Sequence, residues 1–418
     1  MPTTHSCPEV SLNCSLAPGA DVRAITRACL SDVALEDVAA HDGYLFVRDG
    51  IGFAGRDVAT RVSADDAAAL LNSMPHDDQS GFGAPGPIAI GCIPFIPGSS
   101  SSLTIPRYLV GRDTEGHTWE TVVGESPSWN QVPISPTAGP VASTNSFRVH
   151  ALTDEVDYLN AVRAARQAVR DGQITKAVIA REITVESDRP IDVHAVLLRL
   201  RASFGPSYRY SVDGFVGASP ELLVEVDGDF IRSHPLAGTI ARTGDPATDD
   251  RLASQLVASM KNQIEHRVVI DSIHETLLPY CSYLDWEPEP SVLKVANVQH
   301  LGTRLEGMLS TPRPTVVELV RLLSPTPALG GHPRDEAIEL IRSVEGFDRG
   351  RYGGAVGYVD ANGDGKWAVA IRGAEFGLDR RSARLVAGGG IVADSDEIDE
   401  LAETQAKFQA MLSAIVRP

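Results

Sequence analysis

Two carboxylates and an ammonium group near the C-terminus are spaced so that a helix places them on one face. Glu400, Glu403 and Lys407 stand at positions i, i+3 and i+7 of this segment. Such a row is common on solvated helix surfaces, where it forms ion pairs. It can also hold a hard cation, because magnesium prefers a few carboxylates, retains water and accepts an anionic substrate. Glu265, at the border of another helical stripe, is a third carboxylate that could join them.

Two more titratable residues stand at the ends of apolar, strand-like segments. Lys176 begins the segment 176–182, and Glu221 directly precedes Leu222 and Leu223. A desolvated lysine loses its proton more readily and can act as a base, whereas a buried carboxyl group stays protonated and can act as an acid. If both were exposed, they would be ordinary charges at strand ends.

Two glycine-containing turns follow strand-like runs. Gly238 and Thr239 end the first, in 235–239, and Gly388 and Gly390 belong to the second, in 387–391. Backbone N–H groups exposed by glycines can hold a carboxylate. The same pattern also occurs in tight turns and bulges without any ligand.

The elements that must position these residues follow from periodicity and punctuation. The predicted helices are 154–171, 191–203, Asp249–Tyr280 and about 396–415, the last with Asp394 or Ser395 as N-cap. An apolar stripe in the third consists of Leu252, Leu256, Met260, Ile264 and Val268, and we expect it to be buried. Predicted strands include 176–182, 208–212, 222–226, 292–298, 354–359, 367–372 and 384–387. Helices and strands mix without strict βαβ alternation, which favours an α+β fold.

The composition excludes several classes of protein. The 418 residues are 43% hydrophobic and 22% charged, with a net charge of −18, which argues against general binding of nucleic acid. The five cysteines contain no CxxC pair, so neither a disulfide framework nor a zinc site is indicated. There is no secretory signal and no apolar run of about 20 residues. We therefore expect a cytoplasmic protein that does not enter a membrane.

One shift in composition divides the chain. Residues 125–147 are rich in Pro, Ser and Thr and lack apolar periodicity, so we interpret them as a loop or linker. We expect residues 1–147 to be a strand-rich N-terminal part of the same fold together with this connection. Residues 148–418 are then the catalytic part.

In this order, the separated motifs resemble those of the chorismate-utilising enzymes. This family includes the isochorismate, salicylate, anthranilate and aminodeoxychorismate synthases, and the resemblance covers about residues 150–416. It implies a large single α+β domain of two packed antiparallel sheets surrounded by helices, with the active site in a cleft between the sheets.

The resemblance also implies a magnesium site. Glu265 resembles the glutamate of the family's Glu-His motif, and Glu403 that of its Glu-x-x-Glu-Thr motif; both are expected to bind Mg²⁺ directly. Glu400 is expected to bind through water. The ion would neutralise the ring carboxylate of chorismate, with Lys407 adding charge to the same group.

Further residues are implied to contact the substrate. Tyr352 and Arg372 resemble the pair that grips the enolpyruvyl carboxylate, a task that suits the planar guanidinium, and Gly388 and Gly390 are expected to assist. The remaining two contacts are the Gly238–Thr239 turn, against the substrate, and His300, near the C4 hydroxyl.

The nucleophile separates members of the family. Members that add ammonia generally have Gln where this chain has Lys176, and they receive ammonia from a glutaminase. This chain carries Lys in Lys176-Ala177-Val178-Ile179-Ala180-Arg181, which resembles the strand of members that add water. Lys176 is therefore expected to deprotonate water attacking C2, and Glu221 to protonate the departing C4 hydroxyl. We therefore expect no amidotransferase partner, and we expect the protein to be a monomer.

A second split concerns where the reaction stops. Salicylate synthases go on to eliminate pyruvate in the same site. The stretch 324–331 resembles the loop usual in members that stop at isochorismate, and salicylate synthases differ around the position of Ala328. We expect isochorismate as the product, with salicylate as the alternative.

Overall fold

The fold is described by a computed structural model that covers residues 22–29, 33–129, 145–295 and 298–417. Most of the predicted linker, 130–144, lies outside the described residues, and its last residue, Phe147, already begins a strand.

The helices of the described residues alternate irregularly with strands along the chain. They are α1 Leu35–Ala39, α2 Ala67–Ser73, α3 Glu155–Arg170, α4 Val193–Phe204, α5 Pro246–Ala258, α6 Met260–Leu277, α7 Val316–Leu323, α8 Arg334–Val344 and α9 Glu397–Val416. None of them is both long and apolar enough to cross a bilayer.

The strands before the predicted linker are β1 Arg23–Ala28, β2 Tyr44–Arg48, β3 Ile51–Ser63, β4 His76–Gln79, β5 Ala89–Ile93, β6 Ser102–Arg112 and β7 Thr118–Gly124. Those after it are β8 Phe147–Ala151, β9 Lys176–Ser187, β10 Tyr208–Val212, β11 Phe215–Ser219, β12 Leu222–Asp227, β13 Phe230–His234, β14 Leu236–Ala241, β15 Cys281–Trp286, β16 Ser291–Val295, β17 Val298–Gly302, β18 Leu305–Leu309, β19 Gly331–His332, β20 Ala355–Val359, β21 Gly365–Val369, β22 Gly373–Phe376 and β23 Ser382–Ile391.

Within the described residues these strands form a 20-stranded hydrogen-bonded network and a separate three-stranded sheet of β14, β17 and β16. Only the pairing of β1 with β4 is parallel among the described pairs. Antiparallel sheets with helices against them are the α+β architecture that the sequence predicts, so that prediction is confirmed.

Strands from before and after residue 125 pair in the same network. β2 pairs with β10, and β5 pairs with β20, both antiparallel. Side chains of β2 and β10, including Phe46 and Tyr210, accordingly share one hydrophobic core.

Strand β9, which carries Lys176, lies beneath two helices. Tyr158 and Val162 of α3 and Ile338 of α8 form a buried cluster with Ile179 of β9. Along one edge, β9 pairs with β23 over ten residues, from Ser382 opposite Glu186 to Ile391 opposite Ala177. Helix α9 packs on β23. The C-terminal carboxylates are thus placed beside the strand of the candidate base.

The prediction of a single helix over Asp249–Tyr280 is wrong, because the segment forms two helices, α5 and α6, that are separated at Ser259. This residue has extended backbone angles, and its hydroxyl accepts a hydrogen bond from the N–H of Asn262, so that it caps a new helix. The break also redirects the predicted stripe: Met260 and Ile264 are exposed, while α6 buries Val269, Ile270 and Ile273.

The N-cap of the last helix lies one residue after Ser395 and two after Asp394, the two predicted caps. Asp396 caps α9 by accepting from the N–H groups of Ile398 and Asp399. Ser395, one of the two predicted caps, instead donates its hydroxyl to Glu400.

Candidate active site

A cavity lies between the two sheets, with walls from β14 and β17 on one side and β9 and β23 on the other. Its lining includes eleven of the residues singled out from the sequence: Glu221, Gly238, Thr239, Glu265, His300, Tyr352, Arg372, Gly388, Gly390, Glu403 and Lys407. Lys176 and Glu400 do not line the cavity. Lys176 contacts Glu265 of the lining, and Glu400 lies against Gly389 of β23. Motifs separated by up to some 200 residues in sequence therefore meet at one site.

Lys176 is buried, with 2% of its surface exposed, and its ammonium donates to a carboxylate oxygen of Glu265 at 2.7 Å. Burial alone would raise the pKa of Glu265, but the neighbouring ammonium groups, Lys176 first, lower it overall. The candidate base and a candidate metal ligand are thus joined by an ion pair, which sequence spacing gives no means to predict.

Glu221 is buried, with 3% of its surface exposed, and accepts a 3.3 Å hydrogen bond from the N–H of Leu236. Burial raises its pKa to about 8, even though Lys176 and Arg372 are close enough to oppose the shift. The group is therefore largely protonated at neutral pH, as a proton donor must be.

The glycine run of β23 forms a wall of bare backbone. A Cβ at Gly390 would lie 2.8 Å from Cε of Lys176 and 2.9 Å from Oε1 of Glu265. A Cβ at Gly389 would lie 2.5 Å from Oε2 of Glu400. Neither glycine has a positive φ, so space, rather than conformation, explains why these positions lack side chains.

Lys407 connects this wall to α9. Its ammonium donates to the carbonyl of Gly388 at 2.7 Å and pairs with Glu403, also at 2.7 Å. Although burial favours the neutral amine, the carboxylate of Glu403 raises the pKa of Lys407 above its ordinary value. The lysine is thus a fixed positive charge at the cavity.

Glu400 is buried beside this pair. Ser395 donates to its Oε1 at 2.8 Å, and the ammonium of Lys261 lies 3.9 Å from the same oxygen. Oε2 is buried without any hydrogen-bond partner. Burial, and then the charge of Glu403, raises the pKa of Glu400 to about 7.

The three predicted metal ligands do not form a finished cage. Within the described residues no group of three or more His, Cys, Asp or Glu side chains is close enough to hold an ion. Instead Glu265, Glu403 and Glu400 each face a lysine: Lys176, Lys407 and Lys261, respectively. Sequence analysis did not identify Lys261 as a partner of Glu400, and it interpreted Ser395 only as a possible helix cap.

His300 and Arg372 meet at another side of the cavity. Nη2 of Arg372 lies 3.1 Å from Nε2 of His300, and Nδ1 of His300 lies 3.2 Å from the carbonyl of Gly238 and 3.1 Å from the hydroxyl of Thr239. Burial, followed by the charge of Arg372, lowers the pKa of His300 well below its ordinary value. The ring is neutral, with its proton assigned to Nδ1, since a guanidinium can only donate.

Arg372 has a positive φ of 56°, which is uncommon for a residue with a side chain. Its carbonyl accepts from the N–H of Ala218, and the preceding carbonyl accepts from the hydroxyl of Tyr210 at 2.9 Å. Such strain persists where neighbouring contacts hold it, and it often marks a functional position. Here it accompanies a half-buried guanidinium that lines the cavity, which Tyr352 also lines.

Arg181, the last residue of the 176–181 motif, connects β9 to α9. It donates to the hydroxyl of Thr404 at 2.7 Å and to the side-chain oxygen of Gln405 at 2.9 Å, and it lies over the ring of Phe408. The strand of the candidate base and the helix of the carboxylates therefore share one side-chain bridge.

The protein-family model described as a chorismate binding enzyme matches residues 101–416. This chain belongs to that family. Among its relatives, the putative isochorismate synthase MenF of Mycobacterium tuberculosis is 38% identical over 343 residues, which are 79% of this chain and 86% of that protein. The isochorismate synthase DhbC of Bacillus subtilis is 39% identical over 282 residues, 65% of this chain and 70% of that protein.

The solved structure of MenF, the menaquinone-specific isochorismate synthase of Escherichia coli, has the same fold. It matches with a TM-score of 0.82 at 25% identity, covering 94% of both chains. The resemblance inferred from the motifs is thereby confirmed at the level of the chorismate-binding family.

Replacing Glu221 by Gln should change how stability depends on pH. Because the folded-state pKa is raised, this carboxyl group favours the folded state below its unfolded pKa of about 4.5, and that contribution is lost as the pH rises toward 8. We expect Glu221→Gln to gain stability relative to wild type between pH 5 and pH 8, on the order of 3 kcal/mol.

Urea unfolding of Glu221→Gln and wild type at pH 5 and pH 8 measures the difference in their free energies of unfolding. The matched control is Glu306→Gln, at a glutamate whose side chain is 66% exposed. An equal effect of Glu221→Gln at pH 5 and pH 8 would contradict the assignment of a protonated, buried carboxyl group.

Proposed function

We propose that this protein is a magnesium-dependent isochorismate synthase. It adds water to C2 of chorismate while the C4 hydroxyl leaves, so that the ring double bonds shift and one water enters as another departs. The observation that carries this proposal concerns the cavity of a chorismate-binding enzyme: a protonated Glu221 lines it, and Lys176 is buried beside it, hydrogen-bonded to Glu265 of the lining. The relatives described above, named as isochorismate synthases, support the same activity.

The cavity suits a dicarboxylate. Arg372 supplies a half-buried guanidinium on one side and Lys407 an ammonium on another, while Gly388 and Gly390 line the cavity with backbone alone. We assign the enolpyruvyl carboxylate to Arg372 and Tyr352. The neutral His300, which Arg372 and the Gly238 carbonyl orient, is assigned to the C4 side of the ring.

Proton transfer is assigned to Lys176 and Glu221. In its neutral form, Lys176 takes a proton from the water that forms the new C2–O bond. Glu221 gives its proton to the hydroxyl whose C4–O bond breaks, so charge does not accumulate on either oxygen. Each such step contributes about 10²–10⁴-fold to the rate.

The carboxylates have the chemistry of a magnesium site. Glu265 and Glu403 line the cavity, and the buried Oε2 of Glu400 has no partner, so the donor set is oxygen-rich and incompletely satisfied. We assign Glu265 and Glu403 as direct ligands and Glu400 as a ligand through water. When bound, Mg²⁺ would neutralise and orient the ring carboxylate of chorismate.

The product tests the activity directly. With chorismate and Mg²⁺, the purified protein should form isochorismate, separable from chorismate by liquid chromatography, without release of pyruvate. Salicylate with one pyruvate for each chorismate would instead indicate a salicylate synthase. Absence of any turnover would refute the proposed activity.

Lys176→Ala tests the assigned base. We expect kcat to fall by about 10²–10⁴-fold, because water then lacks a base, while the Kd for chorismate changes only a few-fold. Calorimetric titration with chorismate and steady-state kinetics measure the two quantities. The control Lys294→Ala removes a lysine paired with Asp250 on the surface. A near wild-type rate in Lys176→Ala would exclude this role.

Glu403→Gln tests the metal site. We expect Mg²⁺ affinity, measured by calorimetry without substrate, to fall by roughly 10-fold or more, with loss of magnesium-dependent turnover. Asp399→Asn is the matched control, since it removes one negative charge from the exposed side of the same helix. Equal Mg²⁺ affinity in the two variants would count against Glu403 as a ligand.

A further inference from the structure

Among the described strands, none pairs with one edge of β9 just after Lys176 and Ala177. β19 pairs with β9 only at Lys176 and Ala177, and β8 begins to pair only at Ile183. No described strand covers 178–182 on this edge. Buried backbone groups there need other partners, because an unpaired N–H or C=O in a core costs about as much as a lost hydrogen bond.

Two charged side chains replace the missing strand. Nη2 of Arg349 donates to the carbonyl of Val178 at 2.6 Å, and Oε1 of Glu345 accepts from the N–H of Ala180 at 2.7 Å. The N–H of Val178 in turn donates to the carbonyl of Gly330 at 2.9 Å. On this edge, the strand that begins with Lys176 is thus held by an arginine and a glutamate in place of a neighbouring strand, while its opposite edge pairs with β23.

The same arginine holds a second wall of the cavity. Nη1 of Arg349 donates to the carbonyl of Leu329 at 2.8 Å, and both Leu329 and its neighbour Ala328 line the cavity. The guanidinium also lies 4.3 Å from the centre of the Phe95 ring and 5.9 Å from that of Tyr352. One planar group therefore connects the base strand, the 326–330 loop and a residue assigned to the substrate.

Stability alone does not account for this pair. Arg349 and Glu345 have 2% and 1% of their side-chain surfaces exposed, and their contacts include Nε to Oε2 at 2.8 Å and a second, shorter contact between Nη2 and Oε1. A buried ion pair is often no more stabilising than apolar residues of the same volume. Its fork geometry, in contrast, fixes two carbonyls in relative position.

We propose that Arg349, supported by Glu345, is a positioning residue that fixes the strand of Lys176 against the 326–330 loop. The inference rests on the proposed function. Lys176 lies two residues before Val178, so displacement of this carbonyl moves the ammonium relative to the substrate. Displacements of about 1 Å can cost roughly 10²-fold in rate.

Arg349→Lys is the decisive variant, because it keeps the charge and the pairing with Glu345 but cannot bridge the carbonyls of Val178 and Leu329 together. We expect kcat for chorismate to fall about 10–100-fold, with KM changed less than about 3-fold. Arg209→Lys is the matched control. Arg209 forms a similarly buried pair with Glu36 and donates to the carbonyl of Gly205, which, unlike Val178 and Leu329, does not line the cavity.

Hydrogen–deuterium exchange supplies a readout independent of activity. Peptides covering 176–180 and 326–331 should exchange faster in Arg349→Lys than in wild type, and not faster in Arg209→Lys. If Arg349→Lys does not fold, Glu345→Gln replaces it; this variant keeps an acceptor for Ala180 and should show the same changes to a smaller extent.

The outcomes separate the two proposals. The wild-type rate of chorismate consumption is the reference, whatever the product, so a different product would refute only the proposed function. If wild type consumed no chorismate, the exchange of 176–180 would still decide the role of Arg349. Equal losses of kcat in Arg349→Lys and Arg209→Lys, or unchanged exchange at 176–180, would overturn the positioning role.

Discussion

The antiparallel ladder between β9 and β23 is the constraint on which the rest of the site depends. Its register sets Val178 opposite Gly390 and Ala180 opposite Gly388, so the strand of the candidate base runs beside the glycine wall. α9 packs on β23 and brings its carboxylates to the same place. A shift of one residue would turn every side chain of β9 to the opposite face and remove Lys176 from the site.

Charge balance is the second organising feature. Burying a charge without a partner is costly, yet this cavity gathers carboxylates, ammonium groups and a guanidinium in a chain of net charge −18. The solution is local: Glu265 and Glu403 are paired with lysines, and Glu221 is protonated because burial raises its pKa. The site thus has positive groups available for an anionic ligand without a positive surface.

The sequence predicts the elements more fully than the contacts between them. The segments of α3, α4 and α9 follow from apolar periodicity within a few residues, and strand β9 begins at Lys176 as expected. The break at Ser259 was not predicted, because apolar residues continue at every fourth position across it. Only the local cap at Ser259 separates the two helices. The pair of Lys176 and Glu265 joins residues 89 apart, and no spacing rule reaches across such a distance. Assignments to this site came instead from family resemblance, and the structure places most of those residues at one cavity.

The glycine wall of β23 carries a consequence for the diversity of this family. Peptide groups are common to every sequence, so a wall made of backbone offers little that substitution can modify. An added Cβ would meet Ile179 at Gly388, Glu400 at Gly389, and Lys176 and Glu265 at Gly390. Changes in the chemistry of such a cavity are therefore expected on its other sides. In this chain those sides carry Glu221 and the loop at Ala328, and Lys176 lies against Gly390, so a change of nucleophile or product would require few substitutions around the glycine wall.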